Sequence, residues 1–218
     1  MRWLLIIGVS FASSAFDLSV NHFAPQTSQV AAPRVVLDNP RVRVYRTAAG
    51  ALTRLPHGPA VVVALEDSPG SDAGSAIWLE DAAAPAGTSR LHGAVVVVQP
   101  RRAPPSPAAP PAGSKPGDAQ FTGMSFRPVF ENDRVSVLRA RMEIGAREGV
   151  HTHGSDTIVV HLSGGAIEDT ADGKTVVNRW QRGDVEFEGR GTSHSARNVG
   201  GAVDVVLVAL KQSSVVGR

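Results

Sequence analysis

Residues 145–164 read GAREGVHTHGSDTIVVHLSG, and residues 183–198 read GDVEFEGRGTSHSARN. His151 and His153 are two positions apart, so on one strand both imidazoles point to the same face. His194 follows in the second stretch. Divalent transition metals accept imidazole ligands from rigid strands that converge on one point, and a barrel interior offers such a point. The three histidines are therefore predicted metal ligands.

The segments around these histidines are typical of short strands. Residues 157–162 and 203–210 are apolar and rich in β-branched side chains. Glycine-containing pairs at 164–165, 172–173 and 200–201 indicate tight turns between strands. No segment has a sustained 3.6-residue apolar period with caps at its ends. The sequence predicts an all-β fold with barrel or sandwich topology.

An internal repeat indicates the domain organisation. Residues 38–46 (DNPRVRVYR) resemble residues 131–139 (ENDRVSVLR), residues 60–65 (AVVVAL) resemble 157–162 (TIVVHL), and residues 87–90 (GTSR) resemble 191–194 (GTSH). Valine-rich runs follow at 95–98 and 203–208. Three matches in the same order predict a tandem duplication of residues 34–100 and 128–212. We expect a first domain over 30–100, a proline-rich linker over 101–120 and a second domain over 121–218.

Both quoted stretches resemble the two sequence motifs of the cupin superfamily. The first motif is matched by Gly145, by His151 and His153 after five intervening residues, and by Gly164. The second is matched by Gly183, Gly191, His194 and Asn198, with Gly189 where the family has proline. The resemblance implies two tandem cupin barrels of the double-stranded β-helix or jelly-roll type. The first barrel would be degenerate, because Arg90 stands where the second copy has His194.

One departure from the family pattern concerns the charge of the site. Cupins often add a glutamate to the three histidines, and that position is Thr157 here. The neighbouring Asp156 should point to the other face unless a bulge intervenes. Three neutral ligands would leave the full charge on the metal and favour anionic chelating ligands, such as an enolate, a carboxylate or a thiolate. The resemblance to three-histidine dioxygenases of diketones and thiols favours Fe²⁺, while Zn²⁺, Mn²⁺ and Ni²⁺ remain open.

Several further residues are candidates for positions around the ligands, although the sequence presents no strong general-base pair. They are Asp156, Thr157, His161, Glu186 and Arg139. His161 shares the parity of Thr157 but lies four residues further along, about 13 Å at strand rise, which is too far for a ligand. We expect a buried histidine whose ring nitrogens are satisfied by neighbours. His22, His57 and His92 are expected in loops or at the surface.

Three functions fit this pattern. The first is a mononuclear metal enzyme, an oxygenase that acts on a small organic anion. The second is a non-catalytic protein that binds a metabolite, a sugar or a metal. The third is a sugar isomerase or epimerase, which Thr157 disfavours because such cupins mostly keep the glutamate.

Composition and the N-terminal segment limit the class of protein. The chain has 22 Lys and Arg and 20 Asp and Glu, and these charges are scattered, which disfavours a nucleic-acid interface. It has no cysteine, which excludes disulfides and thiolate metal ligands. Residues 1–22 begin with the layout of a secretory signal peptide, which predicts export to the periplasm or beyond; without a signal the protein would be cytoplasmic. We expect a small-molecule ligand and no stable membrane insertion. The resemblance adds a homodimer as an option.

Overall fold

The computed structural model describes residues 32–84, 90–101 and 121–211. These ranges form thirteen strands and one short 3-10 helix, and the expected all-β fold is confirmed. The predicted signal peptide, most of the predicted linker and the 87–89 part of the repeat lie outside the described residues. Within the described ranges, no helix has the length and hydropathy of a membrane-crossing segment.

The first part of the chain forms a five-stranded antiparallel sheet in the order β1-β2-β5-β3-β4. Its strands are β1 (Arg34–Asp38), β2 (Val42–Ala48), β3 (Ala60–Ala64), β4 (Ala76–Leu79) and β5 (Ala94–Pro100), and the 3-10 helix (Ala49–Arg54) follows β2.

The second part forms an eight-stranded antiparallel sheet in the order β10-β9-β12-β7-β13-β8-β11, with β6 paired to β7. The sheet curls around a cavity, as in a jelly roll. Its strands are β6 (Phe121–Glu131), β7 (Val135–Thr152), β8 (Asp156–His161), β9 (Gly165–Ala171), β10 (Lys174–Trp180), β11 (Val185–Glu188), β12 (Ser193–Asn198) and β13 (Val203–Leu210).

Strand β8 is buried on both faces, which explains its nearly continuous apolar sequence. Because side chains alternate along a strand, Thr157, Val159 and His161 line the cavity. Ile158 and Val160 point away from it and pack against the five-stranded sheet. The strand therefore forms one wall of the cavity and one face of the contact between the sheets.

The two sheets share one apolar core that is built mostly of valine. Each copy of the repeat supplies seven residues at matching positions, and all are at most 4% exposed. The matched pairs are Val42 and Val135, Val44 and Val137, Val61 and Ile158, Val63 and Val160, Leu65 and Leu162, Val96 and Val206, and Val98 and Val208. Burying one such side chain contributes about 1.5–3 kcal/mol relative to exposing it, so this core is a large part of the stability of both sheets.

Equivalent turns open the core strands of the two copies. Oδ1 of Asn39 accepts the backbone N–H groups of Arg41 and Val42 at 2.8 and 2.9 Å. Oδ1 of Asn132 accepts those of Arg134 and Val135 at the same two distances. The Asn-x-Arg-Val segments matched by sequence thus have the same local structure.

The two copies differ where the second carries its histidines. Strand β7 continues to Thr152, whereas the equivalent β2 ends at Ala48 and the 3-10 helix begins. Leu52 from this helix packs with apolar residues on the outer face of the five-stranded sheet, including Val62 and Leu79. In the first copy, apolar side chains occupy the face that borders the cavity in the second. Arg90, at the sequence position that corresponds to His194, is exposed.

Candidate metal site

The three predicted ligands lie together in the second sheet. The candidate ligand atoms of His151, His153 and His194 are all within 4.8 Å of one another. Nε2 of His153 is 3.1 Å from Nε2 of His194, and the ring centroids of the three side chains are 4.6–4.9 Å apart. No other such group occurs in the part of the chain that the structure describes.

Strand pairing brings the histidines together. His194 on β12 lies directly opposite His151 on β7. A bulge follows, because Ala196 pairs with Glu148, so two β7 residues stand opposite one β12 residue. Further back in β7, Gly145 has φ +76°, a conformation that favours glycine and fits the irregular pairing with β6 there. Glu148 and His151 are three positions apart, so a regular strand would point their side chains to opposite faces. The bulge brings both side chains to the cavity side.

The Nδ1 atom of each ring lies near an oxygen. His194 Nδ1 is 2.9 Å from Asp169 Oδ1, and His151 Nδ1 is 3.0 Å from the Gly149 carbonyl. His153 Nδ1 is 3.5 Å from Glu188 Oε2. When Nδ1–H faces an acceptor, the Nε2 lone pair is free to bind a metal, and the acceptor fixes the ring orientation.

This donor set fits a divalent transition metal. Three imidazoles on one face of a sheet, oriented by oxygens behind them, are typical of sites with open coordination positions. The three histidines could hold a metal ion. Ligand type alone does not select one metal among iron, zinc, manganese and nickel.

A carboxylate also lies close to the triad, at the cavity. Glu148 Oε2 is 3.9 Å from Nε2 of His194, the ring atom that faces His153. Thr157, at the position where the cupin motif often has glutamate, lines the cavity, and its hydroxyl donates to the Ser155 carbonyl at 3.4 Å. Glu148 can therefore supply the negative charge that position 157 lacks.

The triad lies at one end of a cavity of about 220 Å³. Apolar side chains from β6, β7, β8, β9, β12 and β13 form most of its wall, and they are Phe121, Met124, Phe126, Ala140, Met142, Val159, Ile167, Ala196, Val203, Val205 and Leu207. Four carboxyl groups also line it: Glu148, Asp169, Glu186 and Glu188. A small organic molecule that binds here meets apolar walls and several acids.

Burial changes the protonation of the groups near the triad. It lowers the pKa of His153 to about 4, with further lowering by His194 and His151, so this ring is neutral at pH 7. Burial and the neighbouring acid Glu186 raise the pKa of Glu188 to about 8. Burial also raises the pKa of Glu186. Without a metal, Glu188 keeps its proton at neutral pH and can exchange it there.

The other candidate residues have different positions. Thr157, His161 and Glu186 line the cavity. Asp156 lies outside it, because its Oδ1 accepts the Arg190 N–H and its Oδ2 is 3.5 Å from Arg41.

Arg139 also lies outside the cavity, in the contact between the sheets. Its Nε and Nη2 donate to Asp204 at 2.9 and 2.5 Å, and its Nη1 donates to the Ala73 carbonyl at 2.9 Å. It joins the two copies and is not part of the lining. His57, which is paired with Asp81, and His92 are exposed, whereas His22 lies outside the described residues.

The environment of His161 differs from the one expected from the sequence. It is 1% exposed, but neither of its ring nitrogens has a hydrogen-bond partner within the described part of the chain. Its ring stacks on Trp180, with centroids 4.6 Å apart and planes 15° apart. The expectation of satisfied nitrogens was therefore wrong.

The two sequence motifs do not predict that Glu148, Asp169 and Glu188 lie near the triad. Glu148 stands inside the first quoted stretch, three residues before His151, and a bulge is needed to bring it to the cavity. Glu188 and Glu186 are two residues apart on β11, so strand alternation places both side chains on the same face. This alternation is the one sequence signal that connects Glu188 with the candidate Glu186. Asp169 reaches His194 only because β9 pairs with β12, which no local pattern reveals.

Comparisons with known proteins find similarity in structure only. No protein-family model and no curated protein sequence matches the chain. A cupin domain from Bordetella pertussis Tohama I matches 43% of this chain and 98% of its own, at 23% identity and a TM-score of 0.40. An RmlC-like cupin from Shewanella frigidimarina matches 46% and 91%, at 16% identity and a TM-score of 0.35. The polyketide cyclase RemF from Streptomyces resistomycificus matches 42% and 68%, at 17% identity and a TM-score of 0.37.

Proposed function

We propose that this chain is a two-barrel cupin whose second barrel holds one divalent transition metal and acts on a small organic molecule. The observation that carries the proposal is the convergence of His151, His153 and His194 within 4.8 Å at the end of a mostly apolar cavity. Each ring has an oxygen near its Nδ1, which supports a role as ligand rather than as filler of the core.

The two-barrel assignment is supported by the internal repeat. The copies share matched core positions and the same asparagine turns at Asn39 and Asn132. In this proposal the first copy is a degenerate barrel, reduced to a five-stranded sheet, that lost the metal site when the second part of its histidine strand was replaced by the 3-10 helix. Its remaining role is to cover the back of the metal-binding barrel.

The three histidines would hold the metal, and Glu148 is the fourth candidate ligand because of its distance from His194 Nε2. A bound Fe²⁺ would supply positions for substrate and dioxygen, so no protein nucleophile is required. The chain's own residues bind and orient the substrate, and the apolar walls exclude water from the reacting groups. Glu188, near His153, is the group best placed to take or release a proton.

The proposed reaction is that of a dioxygenase-like oxidoreductase. The acids of the cavity other than the protonated Glu188 modify the expected preference for anions, because an ionised carboxylate repels a negative charge anywhere except next to the metal. The substrate therefore needs one ionisable group that can chelate the metal, such as the enol of a β-diketone. The rest of the molecule should be neutral. The size of the cavity restricts it to small molecules.

The decisive test combines metal analysis with oxygen uptake. Purified wild type should contain close to one metal ion per chain, whereas His151→Ala and His194→Ala should contain very little. Wild type loaded with Fe²⁺ should consume O₂ with at least one member of a panel of β-diketones and small thiols. Full metal content in both variants would disprove the site assignment, and a metal-loaded protein without oxygen uptake would disprove the oxygenase.

The position of Glu188, whose Oε2 lies 3.5 Å from Nδ1 of His153 at the cavity, favours a second candidate function, proton-transfer isomerisation. A carboxyl group that titrates near neutral pH beside a metal ligand is suited to move a proton between carbon atoms. Incorporation of solvent deuterium into a panel of aldoses and ketoses, without oxygen uptake, would support the isomerase over the oxygenase. Oxygen uptake that survives Glu188→Gln would argue against a proton-transfer role.

Export of the protein stays a prediction from the N-terminal segment. N-terminal sequencing of the protein recovered outside the cytoplasm would show whether residues 1–22 are removed.

A further inference from the structure

The end of the cavity opposite the triad contains a polar group that the proposed function does not use. His161 lines the cavity and is 1% exposed, and both of its ring nitrogens lack a hydrogen-bond partner among the described residues. Buried polar groups are nearly always hydrogen-bonded, because leaving one unpaired is costly. An unpaired imidazole that faces a cavity therefore indicates a partner that enters the cavity.

Strand pairing places this group far from the metal site. Glu188, near the triad, lies opposite Thr157 on β8, and His161 is four residues beyond Thr157. At strand rise this is about 13 Å. On the opposite wall, Asp169 contacts His194, while Trp180 pairs with Gly165 four residues before Asp169. The cavity thus extends from the triad to a far end formed by His161 and Trp180.

The stacked Trp180 gives the far end a fixed geometry. The two rings are nearly parallel at a centroid distance of 4.6 Å, so the plane in which the imidazole nitrogens point is set by packing. Burial lowers the pKa of His161 to about 4, so at neutral pH the ring offers one N–H donor and one acceptor nitrogen. A hydroxyl group can bond to either nitrogen, because it both donates and accepts.

The walls between the two ends select the body of the ligand. Val159, Leu207 and Ile167 line the cavity between the triad and the far end, and Glu186 and Asn178 are the polar side chains there. An apolar body of about the size of an aromatic ring fits a cavity of this volume and composition.

We propose that His161 and Trp180 form a subsite for the hydroxyl group of an elongated, mostly apolar ligand, such as a phenol, whose other end reaches the triad. The placement of that other end rests on the proposed function, whereas the subsite itself does not require the metal. Ordered water at His161 is the alternative, and the following experiment separates the two.

The experiment measures the affinities of phenol and toluene for the full chain after metal removal with EDTA, by calorimetry. These probes differ in the hydroxyl group and are otherwise close in size. In His161→Leu the ratio of the two affinities should shift toward toluene by about tenfold, the effect of one buried hydrogen bond. His161→Gln, which keeps a donor and an acceptor, should retain most of the preference of wild type.

A second readout uses wild type alone, so that misfolding of a variant does not affect it. Phenol should shift the ring ¹⁵N resonances of His161, and toluene should shift them much less. An unchanged affinity ratio in His161→Leu, or a lack of phenol binding to wild type, would overturn the subsite. Failure of the metal proposal would appear separately, as a low metal content of wild type with the phenol preference intact.

Discussion

Acid should destabilise the protein through His161, by an amount that follows from its environment. In the unfolded chain the ring has its ordinary pKa of 6.5, and in the fold burial lowers that pKa to about 4. Between these values the unfolded state binds more protons than the folded state. The free energy of unfolding therefore falls as the pH falls from 6.5 toward 4.

The size of this effect is about 3 kcal/mol, at about 1.4 kcal/mol for each pH unit between the two pKa values. Because His161 is only 1% exposed, bulk solvent does not screen the charge of its ring. Between pH 7.5 and 4.5 about 2.5 kcal/mol of it should be lost.

Urea unfolding at these two pH values measures the loss, with wild type and His161→Leu compared in the metal-free state. The variant should lose about 2.5 kcal/mol less than wild type between pH 7.5 and 4.5, since the other titrating groups are the same in both proteins. Thr157→Val, a change on the same face of β8 that removes no titrating group, should leave the pH dependence as in wild type. Parallel profiles for wild type and His161→Leu would refute the reasoning and mean that solvent or a polar partner reaches the ring.

Three other substitutions test the site and the fold. Asp169→Asn should weaken metal binding about 10- to 100-fold in a chelator competition assay, because it removes the charge that orients His194. Arg139→Ala should lower the free energy of unfolding by about 2 kcal/mol, since it leaves Asp204 unpaired between the sheets. Asn198→Ala should lower it by about 3 kcal/mol, because Nδ2 of Asn198 lies within hydrogen-bond distance of three backbone carbonyls and Oδ1 accepts the Gly200 N–H.

Matched substitutions provide the controls. Glu168→Gln changes the neighbouring acid on β9 and should leave metal affinity as in wild type. Arg43→Ala removes an exposed ion pair with Asp38 and should leave the free energy of unfolding close to that of wild type. An equal loss from Arg43→Ala and Arg139→Ala would contradict the role of the partly buried pair of Arg139 and Asp204. An Asn198→Ala protein as stable as wild type would contradict the role given to the hydrogen bonds of Asn198.

The histidine triad was predictable because its information is local. His151 and His153 are related by strand alternation, and His194 lies in a second short motif. The all-β fold was predictable for the same reason, since short β-branched runs between glycine turns leave few alternatives.

The acids around the triad were not predictable, because their positions depend on which strands pair and where a strand bulges. Asp169 reaches His194 through the pairing of β9 with β12, and Glu148 reaches the cavity through the bulge in β7. Glu186 was a sequence candidate, yet Glu188 on the same face of β11 is the acid that lies within 3.5 Å of a histidine of the triad. The 3-10 helix of the first copy was also missed, since a single short helical turn has no sustained period.

The valine core between the two sheets has a consequence for assembly. Two separate chains in contact through such a face would dissociate on dilution. Here the two sheets belong to one chain, so the effective concentration of one face for the other stays high at any protein concentration. We therefore expect the second sheet to stay covered at nanomolar protein. Because the first copy contributes to the cavity only through this face, substitutions at its exposed positions, outside its two apolar clusters, can accumulate without harm to the histidine cavity.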